Sequence, residues 1–208
     1  SIAAMYFLMQ GTPFIYQGQE IGMTNTSFSS LDDFNDVSAK NLYRKMKKEG
    51  FSDHTIIDLL SLTSRDNSRT PMQWDNSTNA GFSTAAPWIK VNPNYITINV
   101  RQQQEQPDSI LNFYRRMIQL RKDDKVLVYG DYELLMAEDP QIYAYTRSLE
   151  GRHAVIICNM SASEAQYRQQ DILLEHHNLR LNNYQVPPHE PTNQLRLSPY
   201  ETRVYLVH

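Results

Sequence analysis

The spacing of apolar residues changes near Lys125, and this change limits most strongly what the chain can fold into. Before that point apolar residues recur every three to four positions, most clearly in "PDSILNFYRRMIQLRKDD", which predicts an amphipathic helix. After it, short β-branched and aromatic segments alternate with turn residues: "VLVYGDYELLM", "QIYAYTRSL", "HAVIICNMS", "EAQYRQQ", "NQLRLSP" and "ETRVYLVH". Closely spaced strands are typical of an antiparallel sandwich. We therefore predict an α/β part over residues 1–124 and an all-β domain over residues 125–208.

The first residues, "SIAAMYFLMQGTPFIYQG", begin in the middle of a structural pattern. Ile2–Gln10 has the apolar spacing of a helix, but no capping residue precedes it. Gly11–Pro13 would end that helix, and Phe14–Tyr16 is a short apolar run typical of a strand. A buried helix that leads into a buried strand is half of a βαβ unit whose first strand is missing. This arrangement predicts a fragment of a larger α/β protein.

Composition excludes several classes of protein. With 208 residues and a formal net charge of −3, the chain has ordinary globular size and no clustered basic region for nucleic acid. No run approaches the roughly 20 apolar residues of a membrane span, and no secretion signal opens the sequence. The lone Cys158 rules out an internal disulfide and favours a reducing compartment, so we expect a cytoplasmic protein. We interpret Cys158 as a small core residue of a strand, not as a nucleophile.

Two further helices are predicted between residues 29 and 67. The segment "SSLDDFNDVSAKNLYRKMKKEG" has Ser29 or Ser30 as its cap and lysines near its end, before Gly50. The segment "SDHTIIDLLSLTSRDN" has Ser52 or Asp53 as its cap. Both segments are predicted to be helices, and the second places Ile56, Leu59 and Leu60 on one face.

The stretch from Asn67 to Tyr95 has no regular period, yet it holds both tryptophans, Trp74 and Trp88. Disordered segments lack large apolar side chains, so disorder fits this stretch poorly. Loops longer than about 12–15 residues in a compact domain are usually functional when they are ordered. We therefore predict a packed loop with a role in function.

Four motifs in order resemble the C-terminal part of the α-glucosidase branch of the α-amylase superfamily, glycoside hydrolase family thirteen. They are "GTPFIYQGQEIGMTN" at 11–25, "RDNSRTPMQWD" at 65–75, "AGFSTAAPWIKVNPNY" at 80–95 and "SILNFYRRMIQLRK" at 109–122. Their order and spacing are similar to those of oligo-1,6-glucosidases, dextran glucosidases and trehalose-6-phosphate hydrolases. The resemblance is specific to about residue 160 and weaker beyond it.

This resemblance implies a (β/α)8 barrel followed by a β-sandwich, domain C. Ile2–Gln10 would end the seventh barrel helix, Pro13–Gln17 would be the eighth strand, and Ser109–Lys122 the eighth helix. Residues 19–95 would form the long eighth βα-loop, which would build one wall of a sugar pocket at the C-terminal face of the barrel. The domain C core would pack against the eighth helix, with Ile142, Tyr143, Val155, Ile157, Val204 and Tyr205 as core candidates.

The family's catalytic groups are not expected in this chain. Retaining glycosidases use two carboxyl groups about 5–5.5 Å apart, and the family carries them and a third aspartate on its fourth, fifth and seventh strands, which would precede Ser1. We assign no catalytic residue here and predict that the chain alone is inactive. The carboxylates that remain match none of those motifs, among them Glu20, Asp32, Asp33, Asp36 and Asp75.

Arg69, in "NSRTPMQW", is the one substrate-binding candidate. The resemblance implies a clamp on the terminal glucose beside a carboxylate, and a planar, permanently charged guanidinium suits both contacts. The alternative is a loop arginine with its head in water. Ser38 departs from the family, in which relatives often carry an acidic residue facing the sugar next to the cleaved bond.

Other candidates are assigned structural roles. Trp74 and Trp88 could stack on a sugar ring, but we favour burial that pins the loop. Glu20 is expected to order the turn after the eighth strand, and Asp75 to cap the turn "WDNST". The adjacent histidines, His176 and His177, lack the spacing of a metal pair on a helix and are expected to be solvated.

The resemblance implies a retaining α-glucosidase acting on short, α-1,6-linked oligosaccharides, with an oligosaccharide partner and no cofactor, metal, nucleic acid or membrane. A fragment with an unpaired barrel strand is also expected to self-associate, or to fold only partly in its first hundred residues. A trehalose-6-phosphate hydrolase would need a basic cluster for phosphate, and none stands out. A non-catalytic superfamily member, such as a transporter-associated heavy chain, would need a membrane span. A free carbohydrate-binding β-module would not explain the barrel-like start.

Overall fold

The computed structural model describes residues 1–168, 174–187 and 194–207. These divide into two compact units: Ser1–Phe14 with Phe113–His208, and Ile15–Asn112. Within the described part of the chain, no helix has the length and apolar character needed to cross a membrane. The α-helices are α1 (Ile2–Phe7), α2 (Val37–Lys48), α3 (Asp53–Thr63), α4 (Val100–Glu105), α5 (Ile110–Asp123) and α6 (Lys125–Tyr129).

The first unit is built on a five-stranded antiparallel sheet, with a two-stranded sheet beside it. The strands are β1 (Asp131–Leu135), β2 (Ile142–Leu149), β3 (Arg152–Asn159), β4 (Ala165–Tyr167), β5 (Leu179–Asn182), β6 (Leu195–Leu197) and β7 (Thr202–Val207). The larger sheet has the order β1-β2-β3-β7-β5, and the smaller one pairs β4 with β6. The register of the larger sheet places Tyr145 opposite Ile156, and Ile156 opposite Val204.

The two faces of the larger sheet pack against different partners, because side chains alternate along a strand. Tyr145, Ile156 and Val204 join the cluster that contains Phe113 and Met117 of α5. The opposite face packs against the small sheet. The prediction of one core against the helix was therefore wrong in part: Tyr143 and Val204 lie on the helix side, but the other four candidates lie on the far side, namely Ile142, Val155, Ile157 and Tyr205.

Arg121 on the buried side of α5 satisfies the end of α1. Its guanidinium donates to the carbonyl oxygens of Phe7 and Met9, both at 3.0 Å, and of Gly11 at 2.6 Å. The last carbonyls of a helix have no partner within the helix, so a cation that donates to them also complements the helix dipole. Burial lowers the pKa of the Arg121 guanidinium.

Arg147 of β2 is fully buried and binds three further carbonyl groups. It donates to Leu8 at 2.8 Å, to Leu127 at 2.9 Å, and twice to Gly130 at 2.6 and 3.1 Å. Across the described residues, neither Arg147 nor Arg121 forms an ion pair with a carboxylate. Burial is also the main cause that lowers the pKa of Arg147. These contacts join α1, α6 and β2 through backbone oxygens alone.

The segment after α5 differs from its predicted strand. Residues 125–129 form the short helix α6, because the Asp124 side chain caps it by accepting from the Val126 amide at 3.0 Å. Asp124 also pairs with Arg152 at 2.5 Å. The strand begins only after Gly130. β5 was not predicted, because the alternation of apolar and polar residues in Leu179–Asn182 covers only four positions.

Cys158 is fully buried in β3, which confirms its interpretation as a core residue. Burial raises the pKa of its thiol to about 11. The side chain is therefore a protonated, apolar group near neutral pH, and the reactive thiolate form is suppressed.

The second unit contains a small core between α2 and α3. Phe28 and Phe34 lie with ring centroids 4.4 Å apart and pack with Ile56 and Leu60 of α3. α3 begins as predicted after Ser52, whose hydroxyl accepts from the Thr55 amide.

α2 begins later than predicted. Ser30 instead forms a capping box with Asp33 around a short 3-10 turn, Leu31–Asp33. Asp36 is the cap of α2 and accepts from the Ser38 amide at 3.0 Å. Ser30 thus caps the 3-10 turn, and Asp36 caps the α-helix that follows it.

The predicted strand Pro13–Gln17 is not formed. A strand needs a hydrogen-bonded neighbour, and no other strand among the described ranges pairs with this segment. Its apolar side chains remain outside the core: Phe14 is 82% exposed and Tyr16 is 57% exposed.

The long loop after residue 67 is packed into successive turns, with 3-10 turns at Thr78–Gly81 and Pro93–Ile96. It leads into α4, which was not predicted and which Asn99 caps by accepting from the Gln102 amide at 2.9 Å. The stretch therefore contains defined turns, which agrees with the prediction of an ordered loop.

Candidate functional site

A 3-10 turn, Arg65–Arg69, carries the predicted substrate-binding residue. The sequence forms this turn through its own side chains. The Ser64 hydroxyl accepts from the Asp66 amide at 3.1 Å, and the Ser68 hydroxyl donates to the Arg65 carbonyl at 2.8 Å. The Asn67 amide group donates to a carbonyl of α3 at 2.8 Å and accepts from the Thr26 amide at 3.0 Å. The turn is therefore anchored at several points, as a binding element needs to be.

Asp66 is the buried centre of the turn and is fully inaccessible to solvent. Its Oδ2 accepts from the backbone amides of Asn35 at 2.7 Å and Asp36 at 2.8 Å. Its Oδ1 accepts from Nη1 of Arg69 at 3.1 Å. The carboxylate thus has three donors, the arrangement that a buried charge requires.

Arg69 lies at the end of the turn with one side toward Asp66 and its side chain 39% exposed. Within the described ranges, its recorded hydrogen bond uses Nη1, so the planar group keeps further donors for another acceptor. The sequence identified Arg69 but missed Asp66. The three-residue spacing between the two was the available signal, since such neighbours meet on one side of a helical turn.

Arg65, Asp36 and Ser38 form a second polar group beside this pair. Arg65 donates from Nη2 to the Ser38 hydroxyl at 2.9 Å and lies 3.5 Å from Oδ1 of Asp36. Burial alone would raise the pKa of Asp36. The Ser38 amide and the positive charges of Arg65 and Arg69 outweigh that effect, and the pKa is lowered from its usual value. Ser38 is therefore a hydrogen-bond acceptor for a cation in this chain.

A cavity of about 440 Å³ opens next to the turn within the second unit. Tyr16 closes one side by donating its hydroxyl to the Ser68 carbonyl at 2.7 Å. Arg69 itself does not line this cavity. Its lining residues are Tyr16, Gln17, Gly18, Gln19, Met23, Thr24, Asn25, Leu62, Ser64, Asn67, Ser68 and Thr70.

The tryptophans do not pin the loop by burial, contrary to the prediction. Trp74 is 50% exposed and Trp88 is 65% exposed. Their backbones do hold the loop, since the Trp74 carbonyl accepts from the Arg101 amide at 3.0 Å and the Trp88 carbonyl accepts from the Asn35 side chain at 3.2 Å. The rings themselves present apolar surface to solvent in this chain.

Asp75 caps its turn as predicted. Its Oδ1 accepts from the amide of Ser77 at 2.8 Å and from the hydroxyl of the same residue at 2.5 Å. The hydroxyl hydrogen bond is the main cause that lowers the pKa of Asp75.

Glu20 lies in a 3-10 turn, Gln19–Ile21, but its buried Oε2 has no hydrogen-bond partner among the described residues. The neighbouring Gln19 accepts from the Tyr16 amide at 3.2 Å. The side-chain hydrogen bond to the preceding residues therefore comes from Gln19, and not from Glu20 as predicted.

The two histidines are exposed as expected, and His177 lies 2.9 Å from a carboxylate oxygen of Glu175. Among the described residues, no group of three or more histidine, cysteine or acidic side chains is placed to hold a metal ion.

Comparison with known proteins decides the family. Residues 1–130 match the family described as "Alpha amylase, catalytic domain". The chain belongs to the α-amylase family. Its five-stranded antiparallel sheet agrees with the all-β region predicted after residue 125.

Several curated relatives of this α-amylase family chain carry the name oligo-1,6-glucosidase. The protein from Parageobacillus thermoglucosidasius is 43% identical over 208 residues, which is 99% of this chain and 37% of that protein. A trehalose-6-phosphate hydrolase from Bacillus subtilis is 38% identical over 98% of the chain. The chain thus spans 37% of the length of the first of these relatives.

The solved structures that resemble this chain belong to enzymes with different names. The trehalose-6-phosphate hydrolase of Bacillus licheniformis is 36% identical with a TM-score of 0.91, over 99% of this chain and 37% of that one. An isomaltulose synthase from a Klebsiella species is also 36% identical, with a TM-score of 0.90, over all of this chain and 37% of that one. Fold similarity therefore does not separate these activities.

Proposed function

We propose that the chain is the C-terminal portion of a retaining α-glucosidase that hydrolyses short α-glucosides, chiefly α-1,6-linked oligosaccharides. The observation that carries this proposal is the 43% identity to an oligo-1,6-glucosidase along nearly the whole chain. The catalytic carboxylates would lie on barrel strands outside this sequence, and double displacement would retain the anomeric configuration. The lone, buried Cys158 favours action in a reducing compartment such as the cytoplasm.

In this proposal, residues 1–124 complete a (β/α)8 barrel and residues 125–208 form domain C. Pro13–Gln17 would become the eighth strand once neighbouring strands supply its hydrogen bonds, because a closed barrel pairs every strand on both sides. The exposed Phe14 and Tyr16 would then meet the rest of the barrel.

Arg69 would bind the terminal glucose of the substrate. One nitrogen of its guanidinium is held by the buried Asp66. The remaining donors could reach a sugar hydroxyl on the exposed side, and a hydrogen bond from a cation is stronger than one from a neutral donor. The oligosaccharide is thus the partner that this site would recognise.

The substrate class can be tested on the full-length protein that contains this chain. We expect kcat/KM for release of glucose from isomaltose to exceed that for hydrolysis of trehalose 6-phosphate by roughly tenfold or more, as differences in pocket contacts allow. Sucrose is tested as a third substrate, and its products are analysed both for isomeric disaccharides and for free sugars. A preference for trehalose 6-phosphate, or formation of isomaltulose from sucrose, would replace the proposed activity with that of the corresponding relative.

The chain of 208 residues by itself should hydrolyse no glycoside, because the two catalytic carboxylates that the reaction needs would lie outside it. We expect no release of p-nitrophenol from p-nitrophenyl α-glucoside above the buffer rate, with the full-length protein as the positive control. Turnover by the pure chain would contradict the assignment of the catalytic groups.

Sedimentation should also reveal self-association, because Phe14 and its neighbours expose apolar surface.

A further inference from the structure

We propose that Asp66 is a positioning residue for sugar binding, which acts by fixing the guanidinium of Arg69. This proposal rests on the proposed role of Arg69. Asp66 is fully buried, so it does not meet the substrate itself. Its effect on the reaction would pass through Arg69 alone.

The two carboxylate oxygens of Asp66 serve different partners. Oδ2 accepts from the amides of Asn35 and Asp36, at the residues that precede α2. Oδ1 accepts from Arg69 at 3.1 Å. The start of a helix therefore holds the carboxylate, and the carboxylate in turn holds the arginine.

Such a fixed partner matters because arginine has many rotamers. A side chain that is 39% exposed would otherwise sample several of them in water. Holding one edge of the guanidinium against a buried carboxylate limits where its other donors point. A sugar hydroxyl then meets a donor that is already in place, which reduces the entropic cost of binding.

Asparagine at this position would distinguish positioning from simple filling of space. Asp66→Asn keeps the size of the side chain but replaces one acceptor with an NH2 donor. That donor must face either the guanidinium of Arg69 or the two backbone amides, and all of these are donors. The position of one of the two carboxylate oxygens therefore no longer accepts the hydrogen bonds that Asp66 accepts there.

A double-mutant cycle in the full-length protein tests the proposal. We expect Asp66→Asn to lower kcat/KM for isomaltose by roughly 10- to 100-fold, mostly through KM, and to change it by less than about threefold when Arg69 is already alanine. Binding of glucose, measured by calorimetry, should weaken in the same pattern. The matched control is Asp33→Asn, because Asp33 also caps a turn, accepting from the Ser29 amide at 2.7 Å, and its hydrogen bonds and ion pair in the described part of the chain do not involve Arg69.

The outcomes separate the two claims. Equal losses from Asp66→Asn with and without Arg69 would show a purely structural role and overturn the proposal. If Arg69→Ala loses activity while Asp66→Asn keeps it, the positioning role alone fails. If Arg69→Ala keeps full activity, the sugar-binding role fails and the positioning role fails with it. Should Asp66→Asn not fold, Asp66→Glu keeps the charge and both acceptors but displaces the arginine, and the same cycle applies.

Discussion

Replacing Arg69 with alanine in the full-length protein should lower kcat/KM for isomaltose by roughly 10²–10⁴. The change removes the contact with Asp66 and, in the proposed role, a hydrogen bond to the terminal glucose. Each hydrogen bond to a charged group is worth about 1.5–3 kcal/mol. The buried Asp66 would also lose its cationic partner, which adds to the cost.

The controls separate charge from geometry. Arg69→Lys should restore little activity, since lysine offers a single ammonium where a planar fork is needed. Arg101→Ala makes the same substitution at an exposed arginine of the same unit and should leave kcat/KM nearly unchanged. Steady-state kinetics on isomaltose give all three values. An Arg69→Ala enzyme within about threefold of wild type would reduce this arginine to a loop residue.

The largest effect on stability is expected from Arg147→Met in the same protein. Methionine fills much of the space but leaves the carbonyls of Leu8, Leu127 and Gly130 without their donor. An unsatisfied buried acceptor costs about 1–3 kcal/mol. Relief from burying the guanidinium charge offsets part of this cost. We expect a net loss of about 3 kcal/mol or more in the free energy of unfolding.

Urea unfolding followed by far-UV circular dichroism measures this loss. Arg180→Met is the matched control, because Arg180 is exposed and donates to the nearby carbonyls of His177 and Leu179. The control should stay within about 0.5 kcal/mol of wild type. If the two variants unfold at the same urea concentration, the buried carbonyl contacts contribute little.

The sequence predicted best where one periodic pattern ran without interruption. α5 and the strands β2, β3 and β7 follow from their sequence patterns, because each buries several of the apolar residues on which its prediction depended. The failures occurred where a single side chain changed the outcome. Asp124 turned an apolar run into helix α6, and Asp36 moved the start of α2 away from Ser30.

The candidate site was predictable only in part. The motif indicated Arg69. Its partner Asp66 is held by hydrogen bonds from the backbone amides of Asn35 and Asp36, which no sequence pattern predicts. Arg121 likewise falls on the apolar side of α5, which indicated burial but not the carbonyls that it binds. The positions of Trp74 and Trp88 depend on neighbours outside the local sequence, so composition alone overstated their burial.

The contacts of Arg147 also set an order of events during synthesis. The Leu8 carbonyl and the guanidinium that binds it are 139 residues apart in the chain. At about 5–20 residues per second, a ribosome needs roughly 7–28 s to make the intervening segment. During that interval the Leu8 carbonyl lacks this donor, whereas Arg121, which binds the neighbouring carbonyls of Phe7 and Met9, is made earlier. The contact of Arg147 with the end of α1 can therefore form only after the contacts of Arg121 with the same end.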